Sequence, residues 1–215
     1  MSSNVYIYDC DGVILDSNLL KVEIVNDVLQ SMQEIFPKDQ IATALESFKN
    51  NFGKSRYWHI QKFAELVLNS KELFKQQFLE KYSQHLKARY HLAAVCTGVE
   101  TILQNSISDK YIVSGSEQNE LREVLKKKKL DNFFLDILGS PLSKSENIQS
   151  ILRKSNSDKK FFFIGDSFQD MYAAQENNIE FIFYKPYSMV ANSLELQAET
   201  YKYRILNSWK DFNEL

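Results

Sequence analysis

Residues 5–17 read Val5-Tyr6-Ile7-Tyr8-Asp9-Cys10-Asp11-Gly12-Val13-Ile14-Leu15-Asp16-Ser17. The first four are β-branched or aromatic and have the length of a buried strand. Two carboxylates one residue apart and a glycine follow at once. Three later apolar stretches end in the same way. Residues 111–113 run into Ser114-Gly115-Ser116, residues 136–138 into Gly139-Ser140-Pro141, and residues 161–164 into Gly165-Asp166-Ser167. The chain has only six glycines, and four of them stand just past these stretches. Glycine is spent where the backbone must turn tightly or admit a close neighbour, so the strand ends are where a ligand is expected.

Outward from these stretches the chain alternates. Strands are expected at 111–114, 136–138, 161–164 and 181–184, with helices at about 117–129, 144–154 and 168–178 between them. Such alternation predicts an α/β fold with a Rossmann-like parallel sheet and helices on both faces. Residues 17–88 are different. Leu19, Val22, Val25 and Leu29, then Phe63, Leu66, Val67, Phe74, Phe78 and Leu79, recur at steps of three and four, which predicts an all-helical insertion after the first strand. The expected division is an α/β core from residues 1–16 and 89–215 and a helical unit from 17–88.

Composition excludes several classes. The 215 residues are 44% hydrophobic and 25% charged, a globular balance and not a disordered one. The net charge of −2 supplies no field to recruit nucleic acid or an anionic membrane. Neither a membrane-spanning apolar run nor a signal-like amino terminus is present, and two cysteines are too few for a disulfide framework. A cytoplasmic protein without nucleic-acid or membrane partners is expected.

In parallel sheets ligands gather at the carboxyl ends of the strands. Asp9, Asp11, Ser114, Lys144, Asp166 and Asp170 are all expected at that edge. Carboxylates packed together repel unless a cation joins them, and hard oxygen donors without histidine or thiolate favour Mg²⁺. With a lysine, a hydroxyl and glycine-freed amides, the set describes a phosphate site.

The motifs Asp9-Cys10-Asp11-Gly12-Val13, Ser114, Lys144 and Gly165-Asp166-Ser167-Phe168-Gln169-Asp170 together resemble the haloacid dehalogenase superfamily in its phosphatase form. The likeness extends through Ala173-Ala174-Gln175-Glu176-Asn177-Asn178-Ile179, with Asn178 where relatives carry glycine, and it makes the 17–88 insertion a helical cap. The resemblance to phosphoglycolate phosphatases and β-phosphoglucomutases implies a Mg²⁺-dependent phosphomonoesterase. Asp9 would be the nucleophile that becomes an aspartyl phosphate, and Asp11 the acid and base. It further implies metal ligation by Asp9, Asp11 through its carbonyl, and Asp166, with Asp170 as a ligand or holding a metal water. Phosphate would be bound by Asp11, Gly12, Ser114, Gly115 and Lys144.

Dehalogenases typically lack an aspartate at the position of Asp11, which favours phosphoryl transfer here. In the insertion, Gly53-Lys54-Ser55-Arg56 resembles a Gly-x-Ser-Arg segment of sugar-phosphate enzymes, making Arg56 a substrate-binding candidate and a small sugar phosphate the expected substrate. A sugar-phosphate mutase and a non-catalytic binding module are the alternatives. Elsewhere, Asp16 and Ser17 read as helix caps, Cys10 as a packed small side chain, and Lys126 to Lys129 as solvated charge ending a helix. His59, His85 and His91 lack ligand spacing and read as surface or cap residues.

Overall fold

The computed structural model describes residues 4–155 and 158–212. Strand β1 (Val5–Tyr8) is followed by β2 (Leu15–Asp16) and four helices, α1 (Asn18–Gln30), α2 (Ile41–Asn50), α3 (Arg56–Glu65) and α4 (Lys71–Arg89). Then come β3 (Ala94–Val95), α5 (Val99–Asn105), β4 (Asp109–Glu117), α6 (Gln118–Lys127) and β5 (Asp136–Ser140). The remainder is α7 (Lys144–Lys154), β6 (Phe161–Gly165), α8 (Phe168–Glu176), β7 (Glu180–Tyr184), α9 (Ala191–Tyr201) and β8 (Arg204–Leu206).

Six strands form one parallel sheet in the order β5-β4-β1-β6-β7-β8. β1 is central, with Val5 paired to Asp109 on one side and Phe161 on the other. Its four residues are all buried, as a central strand covered on both faces requires. Alternate residues feed two cores. Tyr6 and Tyr8 join one with Phe162 and Ile164, while Ile7 joins Val113, Phe163 and Phe183 in the other. The α/β fold with its Rossmann-like parallel sheet is therefore as expected.

Three details go beyond the sequence reading. β4 continues through Glu117, with an irregular register against β5 between Val113 and Glu117, so α6 starts one residue later than expected. That irregularity carries Ser114, Gly115 and Ser116. β8 has only three residues, too few to display alternation, and it pairs at the sheet edge with β7. β2 and β3 form a two-stranded antiparallel ribbon that brings the two ends of the α1–α4 segment together. Asn178 has φ 53°, the left-handed conformation expected of the residue replacing glycine after α8. Among the described residues, no helix is long and apolar enough to cross a membrane.

Candidate active site

Asp9, Asp11, Ser114, Lys144, Asp166 and Asp170 come from the ends of four parallel strands and the helices that follow them, and all six are buried. Parallel register makes this convergence unavoidable. With β1 paired residue by residue to β6 and β4, the first residues beyond their ends must meet.

Lys144 opens α7, positioned by a capping box in which Ser143 and Glu146 satisfy each other's backbone amides. Its Nζ lies 3.0 Å from Asp9 Oδ2 and 2.5 Å from Asp170 Oδ1. Burial alone would lower the Lys144 pKa, but the Asp170 and Asp9 charges outweigh it and hold it raised. Asp170 is fully committed. Its Oδ2 accepts from the backbone amides of Asp166 and Ser167 at 3.2 and 3.0 Å and from the Ser167 hydroxyl at 2.6 Å. It braces the turn and the lysine.

Asp9 and Asp166 are less satisfied. Asp9 Oδ1 and Asp166 Oδ1 are buried with no hydrogen-bond partner. The second oxygen of Asp166 accepts from Asn18 Nδ2 at 2.6 Å. Burial, then the charge of Asp170, pushes the Asp9 carboxyl up to about 7. Burial and the charges of Asp9 and Asp170 raise Asp166 well above the ordinary carboxylate range. Carboxylate oxygens of Asp9, Asp166 and Asp170 lie within 4.8 Å of one another. Two orphaned, mutually repelling oxygens in a buried site are the condition a hard divalent cation relieves, so the donor set fits Mg²⁺. Asp9 and Asp166 have oxygens to spare, whereas Asp170 has both of its own engaged.

Gly12 follows Asp11 with φ +79°, and a Cβ there would lie 2.1 Å from Asp166 Oδ2 and 2.4 Å from Asn18 Nδ2. Only glycine permits both the turn and the approach of Asp166. Gly115 has a different reason. A Cβ on it would sit 2.3 Å from the Gly53 carbonyl oxygen, so the loop before α3 presses directly on the end of β4.

Asp11 is held by groups that the sequence reading did not assign to it. Its Oδ1 accepts from Ser17 Oγ at 2.5 Å and Tyr90 Oη at 2.7 Å. Its Oδ2 accepts from Lys21 Nζ at 2.5 Å and Ser116 Oγ at 2.8 Å. Burial would raise the Asp11 pKa, but the Lys21 charge and these hydrogen bonds together bring it below the ordinary value. Ser17 precedes α1 as expected, yet its hydroxyl makes no capping bond and serves Asp11. Lys21 and Asn18 lie on the first turn of α1, where helical periodicity marks the apolar face and gives no reason to single out a polar residue. Tyr90, 79 positions from Asp11, could not be placed there without the fold.

A narrow cavity separates this cluster from α1–α4, with about 40 Å³ open to the centre of a water-sized sphere, roughly the room of three waters. Asp9, Asp11, Lys21, Ser114, Gly115 and Ser116 line one part of it. Arg56 also lines it, but not as a free cation. Its guanidinium forks onto both carboxylate oxygens of Glu120 on α6, and Nη1 also donates to Ser83 at 2.9 Å. Arg56 therefore bridges the helical segment to the α/β core. His59 is a correction. It is not a surface residue but buried, packed 4.5 Å from the Phe48 ring, with Nδ1 unpartnered.

Comparison with known proteins agrees with this architecture. No curated protein matches the sequence. Among solved structures, one named as a predicted phosphatase from Clostridium acetobutylicum superposes with TM-score 0.77 at 19% identity, covering 98% of this chain and 96% of that one. A proposed phosphoglycolate phosphatase from Lactobacillus plantarum gives 0.72 at 17% identity, covering 98% of each chain. A proposed β-phosphoglucomutase from Thermotoga maritima gives 0.59 at 20% identity, over 84% of this chain and 85% of that one. Those likenesses concern the fold. The sequence model of haloacid dehalogenase-like hydrolases matches residues 6–184, the span from β1 to the end of β7 that delivers every carboxylate of the cluster, and the chain belongs to that family.

Proposed function

We propose that this chain is a phosphomonoesterase of small phosphorylated metabolites, with Asp9 as the nucleophile. The observation that carries the reading is the state of Asp9. One of its oxygens is held 3.0 Å from Lys144 Nζ, while the other is buried and unpartnered beside the equally orphaned oxygen of Asp166. A carboxylate fixed at one oxygen and free at the other, with a lysine beside it, is arranged to attack an electrophilic centre bearing negative oxygens. A divalent cation such as Mg²⁺, held by Asp9 and Asp166, would neutralise charge on the nucleophile and the phosphoryl oxygens.

The reaction then proceeds in two halves. Asp9 forms a bond to phosphorus as the ester bond breaks, and the leaving oxygen takes a proton from the Lys21–Asp11 pair. Water next attacks the aspartyl phosphate, giving its proton to Asp11 and releasing inorganic phosphate. Ser114, Lys144 and the backbone around Gly12 and Gly115 hold the transferring oxygens. Residues 17–88 act as a cap over the core formed by 1–16 and 89–215. Arg56 would touch substrate through the N–H groups that Glu120 and Ser83 leave over, or by exchanging its Glu120 partner for it.

The test is to incubate the chain with phosphorylated metabolites and Mg²⁺, recording both free phosphate and isomerised product. Free phosphate is the expected result. Isomerisation without phosphate release would move the reading to a mutase, and robust release by Asp9→Asn protein would overturn the covalent mechanism.

A further inference from the structure

The two sides of the active-site cavity differ in chemistry. The α/β core presents carboxylates and hydroxyls. The helical segment presents Phe48, Phe52, His59, Phe63, Phe78 and Tyr82, all buried. These rings form a continuous wall: Phe48 meets Phe52 at 5.2 Å and His59 at 4.5 Å, and Phe78 meets Phe63 at 5.4 Å and Tyr82 at 5.8 Å. Two of the three cationic side chains lining this side are already paired. Lys21 donates to Asp11 and Ser116, Arg56 to Glu120 and Ser83, and Lys54 is exposed. One buried polar atom of the wall is left without a partner, His59 Nδ1. Burial and the Lys54 and Lys21 charges push the His59 pKa down to about 3, so the ring is neutral and can donate or accept.

A hexose buried against such a wall would leave several hydroxyls without partners, each a substantial penalty. A flat apolar group would lose nothing, and it would gain the ring contacts. Resting on the phosphatase reading above, we infer that the substrate is the phosphomonoester of a small, flat, largely apolar alcohol, whose body lies against Phe48, Phe52, Phe78 and Tyr82 and whose one polar ring atom is met by His59 Nδ1. The cavity has little free room as it stands, so any leaving group enters by parting the helical segment from the core. What it then meets is this wall.

Four substrates test the inference on the full chain with Mg²⁺: benzyl phosphate, a pyridylmethyl phosphate, a hexose phosphate esterified at its primary hydroxyl, and para-nitrophenyl phosphate. The first three are primary alkyl esters of similar ring size, so chemical reactivity largely cancels between them. Benzyl phosphate should exceed the hexose phosphate in kcat/KM by about tenfold or more, and the pyridylmethyl ester should exceed benzyl several-fold. In His59→Phe the pyridylmethyl-to-benzyl ratio should fall to about one, a ratio that partial misfolding cannot change. The wild-type comparison needs no variant at all. A hexose phosphate turned over as well as benzyl phosphate overturns the apolar substrate class, and an unchanged ratio in His59→Phe overturns the role of His59. If no ester is hydrolysed, para-nitrophenyl phosphate included, the phosphatase reading fails and this inference with it. Hydrolysis of the hexose and para-nitrophenyl esters but not of benzyl phosphate overturns this inference alone.

Discussion

Lys21 Nζ lies 2.5 Å from Asp11 Oδ2, and both side chains are almost wholly buried. Lys21 belongs to the first helix of the insertion and Asp11 to the turn after the central strand, so the pair ties the helical segment to the site's second carboxylate. The ammonium also lies 4.5 Å from the Tyr90 ring centroid. Removing one member of a buried pair leaves the other uncompensated, typically at about 3–5 kcal/mol. Lys21→Met should therefore lower stability by an amount of that order and reduce phosphate release. Lys21→Arg should recover part of both. Denaturant melts and rate measurements on the two variants check this; Lys21→Met as stable as wild type would show that the pair is not needed.

Metal dependence is expected from the orphaned oxygens of Asp9 and Asp166. Chelation should stop turnover and Mg²⁺ restore it. Ca²⁺ should support it poorly, because its looser coordination would misalign Asp9. Mg²⁺ should also raise the melting temperature, since binding to the native state stabilises it and relieves the repulsion between the two carboxylates. Asp166→Asn should lose most of that thermal shift. Full turnover in chelator would contradict the arrangement.

The Arg56–Glu120 fork crosses from the helical segment to α6 and is partly buried, with Glu120 about a quarter exposed. Such a charge-assisted pair is expected to contribute about 1–2 kcal/mol. A double-mutant cycle with Arg56→Ala and Glu120→Ala should therefore show coupling of that order in stability. If Arg56 also grips the substrate, its loss should lower kcat/KM on a metabolite ester by more than Glu120→Ala does, while para-nitrophenyl phosphate hydrolysis falls equally in both. Equal losses on every substrate would make the fork a latch and nothing more.

Gly115→Ala is a small change with a large expected effect. The added methyl would meet the Gly53 carbonyl oxygen at 2.3 Å, a backbone atom that cannot turn aside. The loop before α3 would have to lift from β4. The loss in kcat/KM should be about tenfold or more, since small displacements of positioning elements are costly, and the melting temperature should fall too, because a clash with backbone is not relieved by a side-chain shift. Near-normal kinetics in Gly115→Ala would show that this contact is dispensable.

His59 gives a pH signature. Its folded pKa lies near 3, against an ordinary 6.5, so below about pH 6.5 the unfolded chain binds a proton that the folded chain refuses. The stability associated with neutral His59 is fully present above pH 6.5 and is lost as pH falls toward 3. Compared with His59→Gln, wild-type protein should lose stability more steeply between pH 7 and pH 5, as read by denaturant unfolding at each pH. Parallel curves would place His59 in contact with water.

The catalytic edge was legible in the sequence because parallel sheets impose it. Once Val5–Tyr8 and the apolar stretches before Ser114, Gly139 and Gly165 are strands, Asp9, Asp11, Ser114 and Asp166 must lie together just beyond their ends. The left-handed Asn178 was legible for a similarly local reason, the steric demand of a helix terminus. Short elements were not. β2, β3 and β8 have two or three residues each, too few for any period to show. The partners of Asp11 were also hidden, because a lysine one turn into an amphipathic helix and a tyrosine 79 residues away carry no local mark of their destination. Arg56 reads as a substrate-binding candidate and His59 as a surface or cap residue, since sequence gives a side chain's chemistry but not its neighbour. Only tertiary packing decided that Arg56 faces Glu120 and that His59 is buried among phenylalanines. Charge pairing and desolvation are set by distance in space, whereas strand propensity and the steric demand of a helix terminus are set by residues close together along the chain.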